Sequence, residues 1–233
     1  MNIDPRTVTM KILPLLVNGD RMKQPEFHRR YEAYPDDTKC ELVGGTVYMA
    51  SPLRWPHGSH HSMLDLALGL YCLATPGVEC AIEPTIILGE ESEPQPDLCL
   101  RNTEESGGSS RLNDDRYVVG PPELLAEIAH SSRAIDMNQK RQDYKAGGVA
   151  EYLVACIEEQ ELHWFDFASG TEIRPDRRGV WRSRVFPGLW IQGVALLSLE
   201  GPRLTEIINQ GIASRAHAAF VRRLERARRR SGA

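Results

Sequence analysis

The sequence predicts an α/β (α+β) fold: a mixed β-sheet flanked by helices, with additional β-hairpins. Three observations carry that expectation. Short apolar runs of strand character are separated by two stretches of helical periodicity, which implies a sheet covered by helices. Residues 40–50 and 151–167 each hold two apolar runs joined by a short polar or glycine-bearing turn, and both read as hairpins. The run Leu-Leu-Ala-Glu127-Ile-Ala is apolar on both parities, the pattern of a strand covered on both faces.

Taken in order, residues 1–24 are expected to form a loosely organised N-terminal extension. Residues 25–33 read as a short helix with Phe27 and Tyr31 four apart on one face. Pro35-Asp-Asp-Thr is a turn. Residues 40–43 and 46–50 flank the Gly44-Gly45 turn of the first hairpin, and residues 51–56 are loop. Met63, Leu66, Ala67, Leu70, Tyr71 and Ala74 recur at spacings of three and four, so residues 59–74 form an amphipathic helix, stopped by Gly77. Residues 78–88 are a strand broken at Pro84. A polar segment leads into the strand that opens with Asp97. Residues 101–116, rich in Gly, Ser, Asn and charge, are a mobile surface loop. Beyond the Glu127 strand, Ser131 and Ser132 are candidate N-caps of a helix that runs to Ala146 and is closed by Gly147-Gly148. A further edge strand is expected over 181–185, and from Thr205 onward the chain is helical and basic.

Composition bounds the function classes. The 233 residues are 41% hydrophobic and 26% charged, as in a globular protein with a sizeable core. The net charge of −4 excludes a polycation, so attraction to nucleic acid must come from local patches. Five scattered cysteines without a CxxC pair support neither a thiolate zinc site nor a thioredoxin-like motif, and their odd number points to a reducing cytoplasm. The apolar run at 11–17 is short and broken by Pro14, so no secretory or membrane segment is expected.

The chemistry concentrates in two strands and the helix that follows. Asp97 stands at the mouth of an apolar strand, where a surface Pro-Asp turn is the competing reading. Glu127 lies mid-strand among apolar neighbours, where a charge is rarely buried unless paired or metal-bound. Asp136, Lys140 and Tyr144 share one helix face at spacings of four. Two carboxylates and a lysine meet the needs of Mg²⁺-dependent phosphodiester cleavage. Mg²⁺ takes one or two carboxylates and keeps several waters. The ion acidifies a bound water, and the lysine orients or deprotonates that water and stabilises the transition state.

The run from Cys40 to Pro52, a following histidine, Gln-Pro-Asp97, Leu-Leu-Ala-Glu127-Ile-Ala-His-Ser-Ser, Lys140, Tyr144 and Gly147-Gly-Val-Ala-Glu-Tyr resembles the Uma2 family of the PD-(D/E)XK nuclease superfamily over residues 25–200. Phe186-Pro-Gly-Leu189 resembles that family's closing strand region. The resemblance implies a restriction-endonuclease-like domain over 25–200, followed by a basic helical tail over 201–233. It implies a metal-dependent endonuclease acting on DNA, with Asp97, Glu127 and Lys140 catalytic. Asp97, Glu127 and the Ile128 carbonyl would bind Mg²⁺ or Mn²⁺, and Glu41 would assist through water. Position 129, where the superfamily pattern carries its lysine, is Ala129 here, so that role passes to Lys140 on the next helix. Lys145 is a second basic candidate with a less fitting spacing. The family's histidine is one of His57, His60 and His61, with His61 preferred because it leads Leu64 and Leu68. A zinc site from His60 and His61 is not expected, since adjacent helical residues diverge.

The arginines between 215 and 230 form a stripe that could contact phosphates or simply be solvated. Trp164, Phe165, Phe167, Trp181 and Trp190 are expected in the core or at a homodimer interface. The competing reading of the whole chain is a catalytically silent nucleic-acid-binding or regulatory module that keeps the nuclease fold. No organic cofactor and no membrane partner are expected.

Overall fold

The computed structural model describes residues 13–35 and 38–232. The expected organisation of residues 1–12, and Asp36 and Asp37 of the expected turn, lie outside the described residues. Helices are α1 (Gln24–Tyr31), α2 (Trp55–Leu73), α3 (Arg141–Ala146), α4 (Gly193–Leu197), α5 (Gly201–Ile212) and α6 (Arg215–Ser231). The strands are β1 (Cys40–Val43), β2 (Thr46–Met49), β3 (Val78–Ile82), β4 (Ile86–Ile87), β5 (Leu98–Asn102), β6 (Arg111–Leu112) and β7 (Val118–Val119). They continue with β8 (Leu124–Ala129), β9 (Glu151–Cys156), β10 (Glu161–Asp166), β11 (Thr171–Glu172), β12 (Val180–Arg182) and β13 (Trp190–Gln192).

The central element is a six-stranded mixed sheet in the order β11-β10-β9-β8-β5-β3. Only β8 and β9 run parallel, and the crossover between them carries α3. All six residues of β8 and all six of β9 are buried, which explains why both strands read as continuous apolar runs. Leu124, Ala126 and Ile128 face a core formed with Leu64, Leu68 and Tyr71 of α2 and Phe220 and Leu224 of α6. The alternate residues Leu125 and Ala129 face a second core containing Tyr144, Val149, Tyr152 and Phe165.

Several expectations shift. Pro56 is tolerated in the first turn of α2, so the helix begins at Trp55 instead of leaving 51–56 as loop. Its buried stripe is Leu64, Ala67, Leu68 and Tyr71, whereas Leu66 is 47% exposed. Apolar residues lie on most faces of this helix, so spacing alone could not orient it. The expected strand 78–88 is two strands of different sheets, β3 in the main sheet and β4 paired with β7. The expected mobile loop 101–116 is ordered: Arg101 and Asn102 finish β5, a 3₁₀ turn spans Glu104–Ser106, and β6 pairs with β7. The strand at 180–182 makes a separate ribbon with β13 instead of a main-sheet edge, and Phe186-Pro-Gly-Leu189 is the turn between them.

The segment before α1 is not loose where it is described. Leu16 is buried, and Gly19 and Met22 donate backbone hydrogen bonds to Val47 and Gly45 of the first hairpin. The C-terminal helices are likewise built in. Leu204, Ile207 and Ile208 of α5 and Phe220 and Leu224 of α6 are buried, so the arginine stripe is the outer face of a packed helix. That helix adjoins Ser106 and Gly77, at the end of β5 remote from Asp97.

One buried carboxylate joins the sheet to the β12–β13 ribbon. Glu151 is fully buried and accepts from Trp164 Nε1 at 2.9 Å, Ser183 Oγ at 2.7 Å, the Arg184 amide at 2.6 Å and the Val185 amide at 3.1 Å. Burial raises its pKa, and the four donors limit the rise. Replacing Glu151 with Gln turns one acceptor into a donor facing donors. Urea unfolding of Glu151→Gln should show a loss of about 2–4 kcal/mol; a loss below about 1 kcal/mol would refute the carboxylate's structural role.

Candidate functional site

The register of the main sheet assembles the site. β5 and β8 are antiparallel with Leu98 opposite Ala126, so extending the ladder by one pair sets Asp97 opposite Glu127. Both then lie on the face that α3 covers. The Ile128 amide donates to Asp97 Oδ2 at 2.7 Å, and the Asp97 amide approaches Glu127 Oε2 at 3.4 Å. The two acids are therefore aimed by backbone groups at the sheet end, where pairing to β5 stops.

Lys140 reaches this pair from the crossover. The helix expected after Ser132 starts as a π-helical segment, Ile135–Lys140, and continues as α3. Ser132 does not cap it through its hydroxyl; its carbonyl accepts the Ile135 and Asp136 amides, and its Oγ donates to Asp136 Oδ2 at 2.5 Å. Such wide turns occur often at functional sites. Lys140 Nζ lies 2.9 Å from Glu127 Oε1, 2.9 Å from Glu41 Oε1 and 3.8 Å from Asp136 Oδ1. Tyr144, one turn on, donates its hydroxyl to the same Glu127 Oε1 at 2.9 Å. Lys145 is exposed and takes no part. Gly147 allows the close return to β9, since a Cβ there would stand 2.4 Å from Leu88 Cγ.

Glu41 arrives on β1. Leu42 exchanges two backbone hydrogen bonds with Glu93, and the Gln95 amide donates to Glu41 Oε2 at 3.3 Å. Asp143 of α3 holds the same hairpin: its carboxylate accepts from the Gly44 amide at 3.2 Å and from Ser92 Oγ at 2.5 Å.

His57 and His61 both reach Asp97, being one helical turn apart near the start of α2. His57 Nε2 is 3.3 Å from Asp97 Oδ2, and His61 Nε2 donates to the Asp97 carbonyl at 3.0 Å. His60 points elsewhere, bonding the Pro56 and Leu197 carbonyls. Of the three candidate histidines, His57 thus stands at Asp97 together with the preferred His61, at a spacing of four that puts both on one helix face. Asp136, on the same helix face as Lys140 and Tyr144, is 1% exposed and is an inner member of the cluster.

Charge balance within the cluster follows from these contacts. Burial drives the Glu127 carboxyl well above its usual range; Lys140 opposes that shift, and Asp97, Asp136 and Glu41 add to it. Burial also raises Asp136, to about 6. Burial works against the Lys140 ammonium, but Glu127, Glu41 and Asp136 outweigh it and raise the lysine well above its usual value. Asp97 is lowered overall, because His57, the Ile128 amide and Lys140 overcome its burial. The arrangement concentrates acidic oxygens around one cation and keeps Asp97 ionised.

The Uma2 family, described as putative restriction endonuclease, matches residues 25–199. The chain belongs to the Uma2 family. Among solved structures, this Uma2 chain is similar to one described as a putative nuclease belonging to DUF820 from Anabaena variabilis ATCC 29413. The TM-score is 0.58 at 13% identity, over 73% of this chain and 96% of that one, a likeness of fold. No curated protein matches it.

Asp143 gives a pH test of the hairpin clamp. Burial raises its carboxyl to about 6. The folded state then keeps a proton that the unfolded chain has released, so this contribution is full below about pH 4 and fades as pH rises through 6. Wild type should lose up to about 3 kcal/mol relative to Asp143→Asn across that window in paired urea titrations. A pH-independent difference would refute it.

Proposed function

We propose that this Uma2 protein is a divalent-metal-dependent endonuclease that hydrolyses DNA phosphodiester bonds. The observation that carries the reading is that Asp97 stands beside Glu127 at one end of the sheet, with Glu127 and Glu41 both on the Lys140 ammonium. The donor set is all oxygen, carboxylate and carbonyl, and fits a hard cation. Asp97 and Glu127 would hold Mg²⁺ or Mn²⁺, with the Ile128 carbonyl and, through water, Glu41. The bound ion would acidify a water and offset phosphate charge.

The chain's own groups do the rest. The Ile128 amide and His57 hold the Asp97 carboxylate ionised and oriented. Tyr144 and Lys140 fix one oxygen of Glu127 and leave Oε2 directed towards Asp97. Lys140 is a cation among three acids, so its part is to orient the water and stabilise the charge that builds on the phosphate, not to accept a proton. A homodimer and a cytoplasmic setting, where its five free thiols would stay reduced, belong to the same proposal.

The silent-module reading draws on one observation: Lys140 and Tyr144 both bond Glu127 Oε1. Duplex, single-stranded and branched DNA should be cleaved with Mg²⁺ or Mn²⁺ and spared with EDTA. Asp97→Ala and Glu127→Ala should abolish cleavage, and Lys140→Ala should slow it by about 10²–10³, the usual effect of losing one charge-stabilising donor. Absence of cleavage together with absence of millimolar Mn²⁺ binding by calorimetry would establish the silent module instead.

A further inference from the structure

We propose that His57 and His61, with the Asp97 carboxylate, form a second metal site that takes a divalent transition ion such as Co²⁺ or Zn²⁺. One ligand atom from each of the three residues lies within 4.8 Å of the other two. The ring centroids are 6.0 Å apart and the rings meet edge to face. The 3.3 Å between His57 Nε2 and Asp97 Oδ2 suits two ligands of one ion, since ligands at about 2.1 Å and near-tetrahedral angles are themselves roughly 3.4 Å apart.

Two details separate this trio from an ordinary hydrogen-bonded cluster. His61 Nε2 donates to the Asp97 carbonyl, which leaves the other ring nitrogen with a free lone pair. That carbonyl bond is the arrangement that orients metal-bound imidazoles. His57 is 8% exposed, and its Nδ1 is buried with no hydrogen-bond partner, so Asp97 is the group that holds the ring. Two imidazoles and one carboxylate select borderline transition ions over Mg²⁺, and three protein ligands leave positions open for water or a phosphate oxygen.

The inference goes beyond the nuclease reading. Glu127 is not a ligand of this site, and Asp97 is the group shared with the carboxylate cluster. Its histidines come from α2, whereas Lys140 comes from the crossover helix after β8.

Tag-free protein stripped with EDTA is titrated with Co²⁺ alone and followed by calorimetry and visible absorption. Wild type should show a d–d band of mixed nitrogen and oxygen ligation. His57→Gln and His61→Gln should each lose that band and weaken Co²⁺ at least tenfold, while remaining folded by circular dichroism. Glu127→Gln should weaken Mn²⁺ and keep the Co²⁺ band. His60→Gln, whose ring bonds two carbonyls elsewhere, should keep it as well. A wild-type protein without the band, or histidine variants that retain it, would overturn the second site while leaving the nuclease proposal intact. Loss of Mn²⁺ binding in Glu127→Gln without cleavage by wild type would sink the nuclease and leave the histidine site standing.

Discussion

The buried Lys140 ammonium is the contact on which the surrounding structure depends. Glu127 is 4% exposed and Asp136 1% exposed, and neither could remain charged in such surroundings without a nearby cation. Lys140 serves both, and its bond to Glu41 draws the β1–β2 hairpin onto the end of the main sheet. One cation thereby ties together β8, β1 and the crossover helix. A buried pair of this kind is weak in net stability but costly to break on one side. That asymmetry suits a site that must stay in place while retaining unspent acidic oxygens.

The rest of the architecture delivers residues to that point. Antiparallel pairing of β5 with β8 sets Asp97 across from Glu127, and the parallel β8–β9 pair requires a crossover whose helix passes over the same face. The wide turn over Ile135–Lys140 shifts the phase of that helix, with Asp136, Lys140 and Tyr144 all buried against the sheet. The early start of α2 at Trp55 brings His57 and His61, one helical turn apart, to Asp97. Asp97 therefore has an imidazole beside its carboxylate, whereas Glu127 is bonded by Lys140 and Tyr144. The arginines of α6 sit at the far end of β5, so a phosphate bound there would lie away from the carboxylates.

Much of this was legible in the chain. The unbroken apolar setting of Glu127 signalled burial on both faces, and a buried acid demands a partner. The spacing of four linking Asp136, Lys140 and Tyr144 placed them on one face before any contact was known. The order of motifs matched the family that the comparison then found over residues 25–199. Less legible were segments whose partners are remote in sequence. β3 and β4 look alike as apolar runs but pair with different strands. The polar stretch 101–116 is ordered by pairing with Val118–Val119 and by packing under α6.

By itself the sequence determined most element types, the two-faced burial of β8 and the need of its buried acid for a partner, because periodicity and the cost of an unpaired buried charge act locally. Only the tertiary structure decided which groups meet. It brought Glu41 from 86 residues before Glu127 to the Lys140 ammonium, turned α2 so that His57 joins His61, and made Asp136 an inner member of the cluster. Those outcomes rest on strand register and helix phase, which are settled by packing across the whole sheet and leave no mark at the residues concerned.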